Sequence, residues 1–400
     1  MLRVEMLSSG DEVLHGQILD SNAAWLGRWL FDHGLPLSER ATVGDEIGAL
    51  CAAIDAASRR AQVLIVNGGL GPTSDDLTTQ AAARVANLPL VEDEAWLAWM
   101  QDWFAQRGRP MAESNRKQAL LPAGAERLDN PIGTACGFSL ILHDCMVFFT
   151  PGVPSEFYQM VEQQIMPRLQ RRFALPAPPL CLRLTTFGRS ESSLAEQLDG
   201  LSLPADCRLG YRSAAPIIEL KLTGPAAQAA AMKASWAQVR ALVAPNLLYE
   251  GEQSVARRAS EALRQAGMRL ALSEQFSAGM IHGWLRAADA PLADGELLAA
   301  GGHPTLSQVM GRARELAARS GAALTLASGE LLAGQLTLAL HTPQGSYGQT
   351  LRYAAAHHSQ TLRREVCATL ALDMVCRYLD GASPFGEYEW PTRLACEHAA

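Results

Sequence analysis

Three glycines followed closely by two aspartates are the first residues in this chain whose types and spacing could do chemistry. In Val63-Leu-Ile-Val-Asn-Gly-Gly-Leu-Gly-Pro-Thr-Ser-Asp-Asp-Leu-Thr78 an apolar run stops at Gly68, Gly69 and Gly71, and Thr73, Asp75 and Asp76 follow. Glycine lets backbone N–H groups approach an anion closely, and the start of the helix behind them favours negative charge, so the turn suits phosphate. The bland alternative is a tight turn with Ser74 or Asp76 capping the next helix. No Gly-Lys-Ser/Thr follows, so this is not a Walker loop. The acidic pair sits inside the turn rather than about 20 residues on, which argues against a dinucleotide fingerprint. Two carboxylates beside a bound phosphate invite Mg²⁺ or a similar hard cation.

Three more loops carry similar residues. Ser8-Ser-Gly-Asp-Glu-Val-Leu-His-Gly-Gln-Ile-Leu-Asp-Ser-Asn22 supplies Ser9, Gly10, Asp11, Glu12 and Asp20, with Asp20 or Ser21 also readable as a helix cap. Asn130-Pro-Ile-Gly-Thr-Ala-Cys-Gly137 and Pro151-Gly-Val-Pro-Ser-Glu156 again set Gly, Pro and polar residues beside strands. In open α/β sheets ligands lie outside the carboxyl ends of the strands, where such loops meet. The backbone at Gly69–Gly71 and the side chains of Asp11, Asp75 and Asp76 are therefore expected to converge on one cavity, with those three carboxylates as the metal ligands.

The elements that must position these loops read as α/β. Short apolar runs at Arg3–Leu7, Val63–Val66 and Met146–Phe149 end in turn residues, with amphipathic stretches such as Ser21–Phe31 between them. This alternation predicts a mixed, largely parallel sheet. A helical stretch at Glu156–Arg172 gives way to Ala174-Leu-Pro-Ala-Pro-Pro-Leu180, a proline-rich linker. We expect three domains: 1–173, the phosphate-binding α/β domain; 180–250, a small α+β connector with strands at Leu180–Thr186 and Ile217–Leu222 and helices at Ser192–Leu198 and Ala226–Val243; and 254–400, a second α/β domain. The last has strands at Met268–Leu272, Ala322–Leu326 and Leu336–His341 and a closing helix from Ser359 to Leu379.

Composition narrows the class. A chain of 400 residues with a formal net charge of −7 lacks the basic surplus that nucleic-acid binding rests on. No run of about 20 apolar residues spans a membrane. The start does not read as a secretory signal, so a cytoplasmic location is expected. Eight cysteines, at positions 51, 136, 145, 181, 207, 367, 376 and 396, form no C-x-x-C pair and read as buried free thiols.

Taken together, Ser9-Gly-Asp-Glu-Val-Leu14, Gly68–Thr78, Asn115-Arg-Lys-Gln-Ala119, Asn130-Pro-Ile-Gly-Thr-Ala135 and Pro151–Glu156 resemble the CinA competence/damage-inducible family. The departures are Cys136, where the family usually has proline, and Ser8, where threonine is common. Thr186-Phe-Gly188 and Glu191–Leu194 resemble the connector of the full-length proteins, and the likeness weakens towards the end. The resemblance implies a molybdopterin-binding-like fold for the first domain. It also implies divalent-metal-dependent (Mg, Mn or Co) hydrolysis of ADP-ribose to AMP and ribose 5-phosphate, a place in NAD metabolism and a homo-oligomer, a homodimer in the simplest case. The implied catalytic residues are Asp75, Asp76 and Glu156. Phosphate and nucleotide contacts would come from Ser9, Gly10, Gly68, Gly69, Gly71, Thr73, Asn115, Lys117, Asn130, Gly133, Thr134, Gly152 and Pro154, although Lys117 can equally be a solvated helix charge.

In the last domain the transfer fails. The family's nicotinamide mononucleotide deamidase is built around Ala-Glu-Ser-Cys-Thr-Gly-Gly, with the serine as nucleophile and a downstream lysine as base. The comparable stretch is Ser273-Glu-Gln-Phe-Ser-Ala-Gly279, and the nucleophile position is Gln275. A carboxamide has no atom that a base can activate as a nucleophile. The only lysines are Lys117, Lys221 and Lys233, so a Ser–Lys dyad cannot form there. Ser277 lacks a base. The family's glycine-rich loop is reduced to Ala327-Ser-Gly-Glu-Leu-Leu-Ala-Gly334. Phe276 and Met280 are expected to fill the old apolar wall, and His282, His357 and His358 read as helical surface or packing residues. Three classes remain open: a metal-dependent nucleotide pyrophosphatase, a molybdopterin- or nucleotide-binding protein without hydrolysis, and an oligomerisation or partner-binding protein.

Overall fold

The computed structural model describes residues 2–302, 304–353 and 357–399. The chain divides into two compact units, Met1–Pro179 and Leu180–Ala400, with the boundary inside the proline-rich stretch.

The first unit is built on β1 (Val4–Ser9), β2 (Leu37–Val43), β3 (Val63–Asn67), β4 (Leu90–Glu92), β5 (Leu120–Pro122), β6 (Glu126–Leu128), β7 (Gly137–Leu142) and β8 (Cys145–Thr150). Six of these form one sheet in the order β2-β1-β3-β8-β7-β6, and β4 and β5 pair separately. The first four run parallel, and β7 and β6 are antiparallel. Strands of a parallel sheet covered on both faces read as near-continuous apolar runs, and β3 shows why. Val63 and Ile65 pack with Val4, Met6 and Phe148 on one face, while Leu64 and Val66 pack with Leu7, Val147 and Phe149 on the other. Helices α1 (Asp11–Leu14), α2 (Ser21–Asp32), α3 (Ile47–Arg60), α4 (Thr78–Ala86), α5 (Glu94–Ala105), α6 (Pro154–Met160) and α7 (Met166–Arg172) complete the unit. The helix at Pro154 runs into α7 through a π turn at Val161–Ile165.

Chain order places the site. From β1 the chain passes through α2, whose Ala23, Leu26 and Leu30 pack on one sheet face. From β3 it passes to α4, whose Ala81 and Ala82 pack on the other. The loops leaving neighbouring β1 and β3 therefore diverge, and the crevice between them is a topological switch point, where open α/β sheets bind ligands.

The second unit holds two sheets. One uses β9 (Leu180–Phe187), β10 (Arg208–Ala214), β11 (Ile217–Gly224) and β12 (Leu247–Glu250) in the order β10-β11-β9-β12, with α8 (Glu191–Leu198) and α9 (Ala229–Val243). The other runs β14-β13-β15-β16-β17-β18, where β13 is Leu270–Glu274, β14 Leu292–Leu297, β15 Leu324–Ser328, β16 Gln335–Thr342, β17 Gly345–Arg352 and β18 Thr392–Ala399. Its helices are α10 (Val255–Gln265), α11 (Met280–Ala287), α12 (Leu306–Ser320) and α13 (Gln360–Leu379).

Three expectations are corrected here. The helix over 360–379 does not close the chain, because β18 follows and pairs with β17. His357 and His358 lie in the turn before α13 rather than on a helix, and His358 Nδ1 shares a hydrogen bond with the Tyr353 hydroxyl at 2.7 Å. Four of the eight cysteines are buried, but Cys396 on edge strand β18 is exposed. No helix among the described residues is long and apolar enough to cross a membrane.

Candidate functional site

A cleft of about 500 Å³ opens at the switch point, within the range of small-molecule sites. The ends of β1, β3 and β8 supply its floor and their loops its walls. Of the residues singled out from the sequence, it gathers Ser9, Gly10, Gly68, Gly69, Gly71, Asp75, Asp76, Thr134, Gly152, Pro154 and Glu156. It also collects Glu12, Asp20, Asn22, Asp45 and Asn67.

The glycine turn is shaped by its own acids. Gly68 and Gly69 have φ of 107° and 66°, in the left-handed region that favours glycine. A Cβ on Gly69 would stand 2.2 Å from Thr78 Oγ1, so close approach as well as φ requires glycine there. Asp76 does not cap α4. Its Oδ2 accepts the Thr73 backbone N–H at 2.8 Å and the Thr73 hydroxyl, closing the turn on itself. The capping alternative is not realised, because the N-cap residue of α4 is Leu77, with no side-chain cap. Asp75 stands exposed beside it, its carboxyl held below the ordinary range first by the Thr73 hydroxyl.

Lys117 is neither a cleft residue nor a freely solvated charge. Its Nζ donates to the carbonyls of Thr73 (2.6 Å) and Asp76 (2.7 Å), strapping the turn from behind. Thr73 also faces away from the cleft, towards a separate depression lined by Arg116 and Lys117. Asn115 does not line the cleft itself but donates to Gln118 Oε1 at 3.0 Å, and Gln118 does line it.

Glu156 stands on the opposite wall, in the first turn of α6. Asn130 and Gly133 lie behind it rather than in the cleft. Asn130 Nδ2 donates to Glu156 Oε2 at 2.7 Å and to the Ala135 carbonyl at 2.8 Å, and its Oδ1 accepts from Gly133 N. Glycine at 133 lets the carboxyl lie flat on the loop, since a Cβ there would be 2.3 Å from Glu156 Cδ. Burial raises the Glu156 pKa, opposed by the Asn130 hydrogen bond.

The third wall corrects the metal expectation. Asp11 does not line the cleft. It is clasped reciprocally to Asp45, with Asp11 N donating to Asp45 Oδ2 at 3.0 Å and Asp45 N to Asp11 Oδ1 at 3.2 Å. Glu12 and Asp45 take the cleft positions. Asp45 titrates above the ordinary range, first through burial and further through the charges of Asp11, Glu12 and Asp75. Sequence reasoning missed it, yet the signal was present. Ser9-Gly-Asp-Glu12 is echoed by Val43-Gly-Asp-Glu46 after the adjacent parallel strand, and Ser9 pairs with Val43 in register. No group of three acidic, His or Cys side chains among the described residues is arranged to hold a metal ion.

The charge balance of the lining still favours a cation. Its titratable side chains are Glu12, Asp20, Asp45, Asp75, Asp76 and Glu156, and no Lys, Arg or His joins them among the described residues. Asp20 is committed to structure, accepting from Ser8 Oγ (2.6 Å) and capping α2 through Ala23 N (2.8 Å). Mg²⁺-type cations need only one or two carboxylates when substrate phosphates and water complete the shell. Asp75 with Glu12 or Asp45 is a donor set that fits.

The deamidase-like stretch is organised quite differently. Gln275 Nε2 donates to the carbonyls of Gly301 (2.8 Å) and Ala299 (3.2 Å). Ser277 is buried, with its hydroxyl 3.0 Å from that of Ser328, which is not a base. Glu274 accepts from Ile281 N and His282 N, fixing the start of α11. Phe276 is buried in the core, and Met280 packs against it.

The first unit thus has the fold and cleft of a molybdopterin-binding-type domain, and residues 5–171 match the family described as "Probable molybdopterin binding domain". Over 390 residues the chain is 50% identical to a "CinA-like protein" of Escherichia coli (strain SMS-3-5 / SECEC), covering 98% of this chain and 97% of that one. Identity and coverage are the same for the "NMN amidohydrolase-like protein YfaY" of Escherichia coli (strain K12). The chain belongs to the CinA-like protein family. Among solved structures, CinA from Thermoplasma acidophilum is 28% identical with a TM-score of 0.39, covering 41% of this chain and 96% of that one. The molybdopterin biosynthesis enzyme MoaB from Thermus thermophilus is 18% identical with a TM-score of 0.30, covering 43% and 93%.

Proposed function

We propose that the first unit hydrolyses the pyrophosphate of ADP-ribose or a related dinucleotide with a divalent cation, and that the 273–279 stretch carries no deamidase activity. One observation supports the first half above the others: a glycine turn suited to phosphate shares its cleft with carboxylates as the only titratable side chains among the described residues. An anionic ligand held beside that many acids requires added positive charge, which a polyphosphate–cation pair brings with it.

A bound divalent cation would supply Lewis-acid charge neutralisation on the phosphates, held by Asp75 with Glu12 or Asp45. The amides of Gly69–Gly71 would orient one phosphate, and Lys117 and Asp76 keep that turn in shape. Glu156, half-buried and held by Asn130, is the base. It takes a proton from the water whose oxygen attacks phosphorus, while the bond to the bridging oxygen breaks to give AMP and ribose 5-phosphate. For the second half, Gln275 offers no nucleophile and the segment contains no lysine.

The test is release of AMP and ribose 5-phosphate from ADP-ribose with Mg²⁺, Mn²⁺ or Co²⁺, using Asp76→Ala as control. Metal-dependent turnover lost in the variant supports the reading. Tight binding of ADP-ribose without turnover would make the protein a nucleotide binder instead.

A further inference from the structure

Asn22, at the start of α2, lines the cleft and is only 5% exposed. Its amide Nδ2 is fully used, donating to Asn67 Oδ1 at 2.9 Å and to the Gly152 carbonyl at 2.8 Å. This orientation is fixed, because a backbone carbonyl can only accept. Asn67 is fixed in the same way by Thr150 Oγ1 (3.2 Å) and the Pro151 carbonyl (2.7 Å). The remaining atom, Asn22 Oδ1, is a buried acceptor with no hydrogen-bond partner among the described residues. Most buried polar atoms find a partner, so this one needs an explanation.

We propose that Asn22 Oδ1 receives a hydroxyl of the ligand's ribose, making it the residue that selects a sugar phosphate over a bare phosphate. The inference rests on the nucleotide reading of the cleft. Phosphate oxygens and carboxylates only accept, so they cannot satisfy an acceptor, whereas a sugar hydroxyl donates. Position supports the sugar. Asn22 is bonded to Asn67, which directly precedes Gly68 in the phosphate turn, so the side chain stands next to the phosphate cradle, where a ribose joined to that phosphate would sit. A site built to bond a hydroxyl rejects the analogue lacking it far more strongly than an apolar pocket rejects an extra methylene.

The experiment measures binding, so it does not depend on turnover. Calorimetry on the full chain with Mg²⁺ compares ADP-ribose with ADP and its 2′-deoxy and 3′-deoxy forms, and ribose 5-phosphate with 2-deoxyribose 5-phosphate. One hydroxyl deletion should weaken binding about tenfold or more, and that penalty should vanish in Asn22→Ala. Because the penalty is a ratio within one variant, a general loss of affinity cancels. If Asn22→Ala does not fold, Asn22→Ser takes its place, with the same loss of the penalty expected. Deoxy forms that bind as well as their parents overturn the proposal. A penalty unchanged in the variant overturns it too. Discrimination through Asn22 without any hydrolysis would leave the proposal standing and remove the pyrophosphatase reading. Failure of every ribonucleotide to bind would remove both.

Discussion

The switch-point cleft and the 273–279 stretch both sit where a strand passes into a helix at the carboxyl end of a sheet, yet they use their polar side chains in opposite ways. In the cleft, Asp75, Glu12, Asp45 and Glu156 face the opening, while Lys117, Asp76, Asn130 and Asp11 hold the backbone behind them. In the second region most of the polar groups are tied to neighbouring backbone and side chains, although Gln275 Oε1 has no partner among the described residues. Gln275 ties down the 299–301 backbone, Ser277 meets Ser328, and Glu274 fixes a helix start. The cleft leaves carboxylates free towards its opening, whereas the 273–279 stretch commits the Gln275 amide nitrogen, Ser277 and Glu274 to local structure.

The sharpest way to break that contrast is Glu156→Gln, which keeps the shape and the Asn130 contact but removes the base. AMP release from ADP-ribose should fall by about 10²-fold or more. Wild-type activity in this variant would reduce Glu156 to a structural group. The wild-type acid limb should lie above the ordinary glutamate range, because burial raises the pKa and the carboxylate form is needed. Asn130→Ala removes the donor that opposes the shift and should move the limb higher still. The sign for stability follows. A carboxyl whose folded pKa is raised contributes stability that is present below its unfolded pKa and lost as pH rises through the folded value. Urea melts across that window should therefore flatten in Glu156→Gln.

Next in size is Gly71→Ala. The added Cβ would lie 2.5 Å from Asp76 Oδ2, so the turn must shift. Misplacement on this scale costs about 10²-fold in kcat/KM, and the melting temperature should fall modestly, since Asp76 Oδ2 is held by the Thr73 N–H and hydroxyl that close the turn. A smaller effect is expected for Lys117→Met. Losing two carbonyl contacts should cost about 1 kcal/mol in chemical denaturation and act on KM more than on kcat, because the strap shapes the phosphate turn from behind. At the low end, Gln275→Ser should change nothing. Ammonia release from nicotinamide mononucleotide should stay at the blank, and a measurable rate would require a base that the sequence does not reveal.

Much of this is legible in the sequence because local pattern and tertiary structure agree. The apolar run Val63–Val66 could only be a doubly covered strand, and the glycines behind it could only be a turn. The proline-rich stretch at 174–180 marks the boundary between the units. Legibility fails where partners are distant in sequence. Arg208–Ala214, Gly345–Arg352 and Thr392–Ala399 do not stand out as strands because antiparallel pairing, rather than a clear apolar alternation, holds them in place. Asp11 reads as a cavity residue because it follows a strand. Only the neighbouring strand's own Gly-Asp-Glu reveals that Asp45 takes its place. Lys117 is readable as a phosphate contact or a solvated charge, and its actual role depends on carbonyls more than forty positions earlier.

The acidic lining also bears on how fast a ligand arrives. On the proposed nucleotide reading, a ligand drifting towards the switch point meets the field of Glu12, Asp45 and Asp75 before it reaches the amides of the glycine turn. Encounter between like charges is slowed at low ionic strength and eased as salt shortens the screening length to about 8 Å at physiological concentration. The association rate of free nucleotide should therefore rise with added salt, the reverse of the behaviour of a basic, phosphate-gripping surface. The cation-bound nucleotide, carrying less net charge, should arrive faster than the bare anion at every ionic strength.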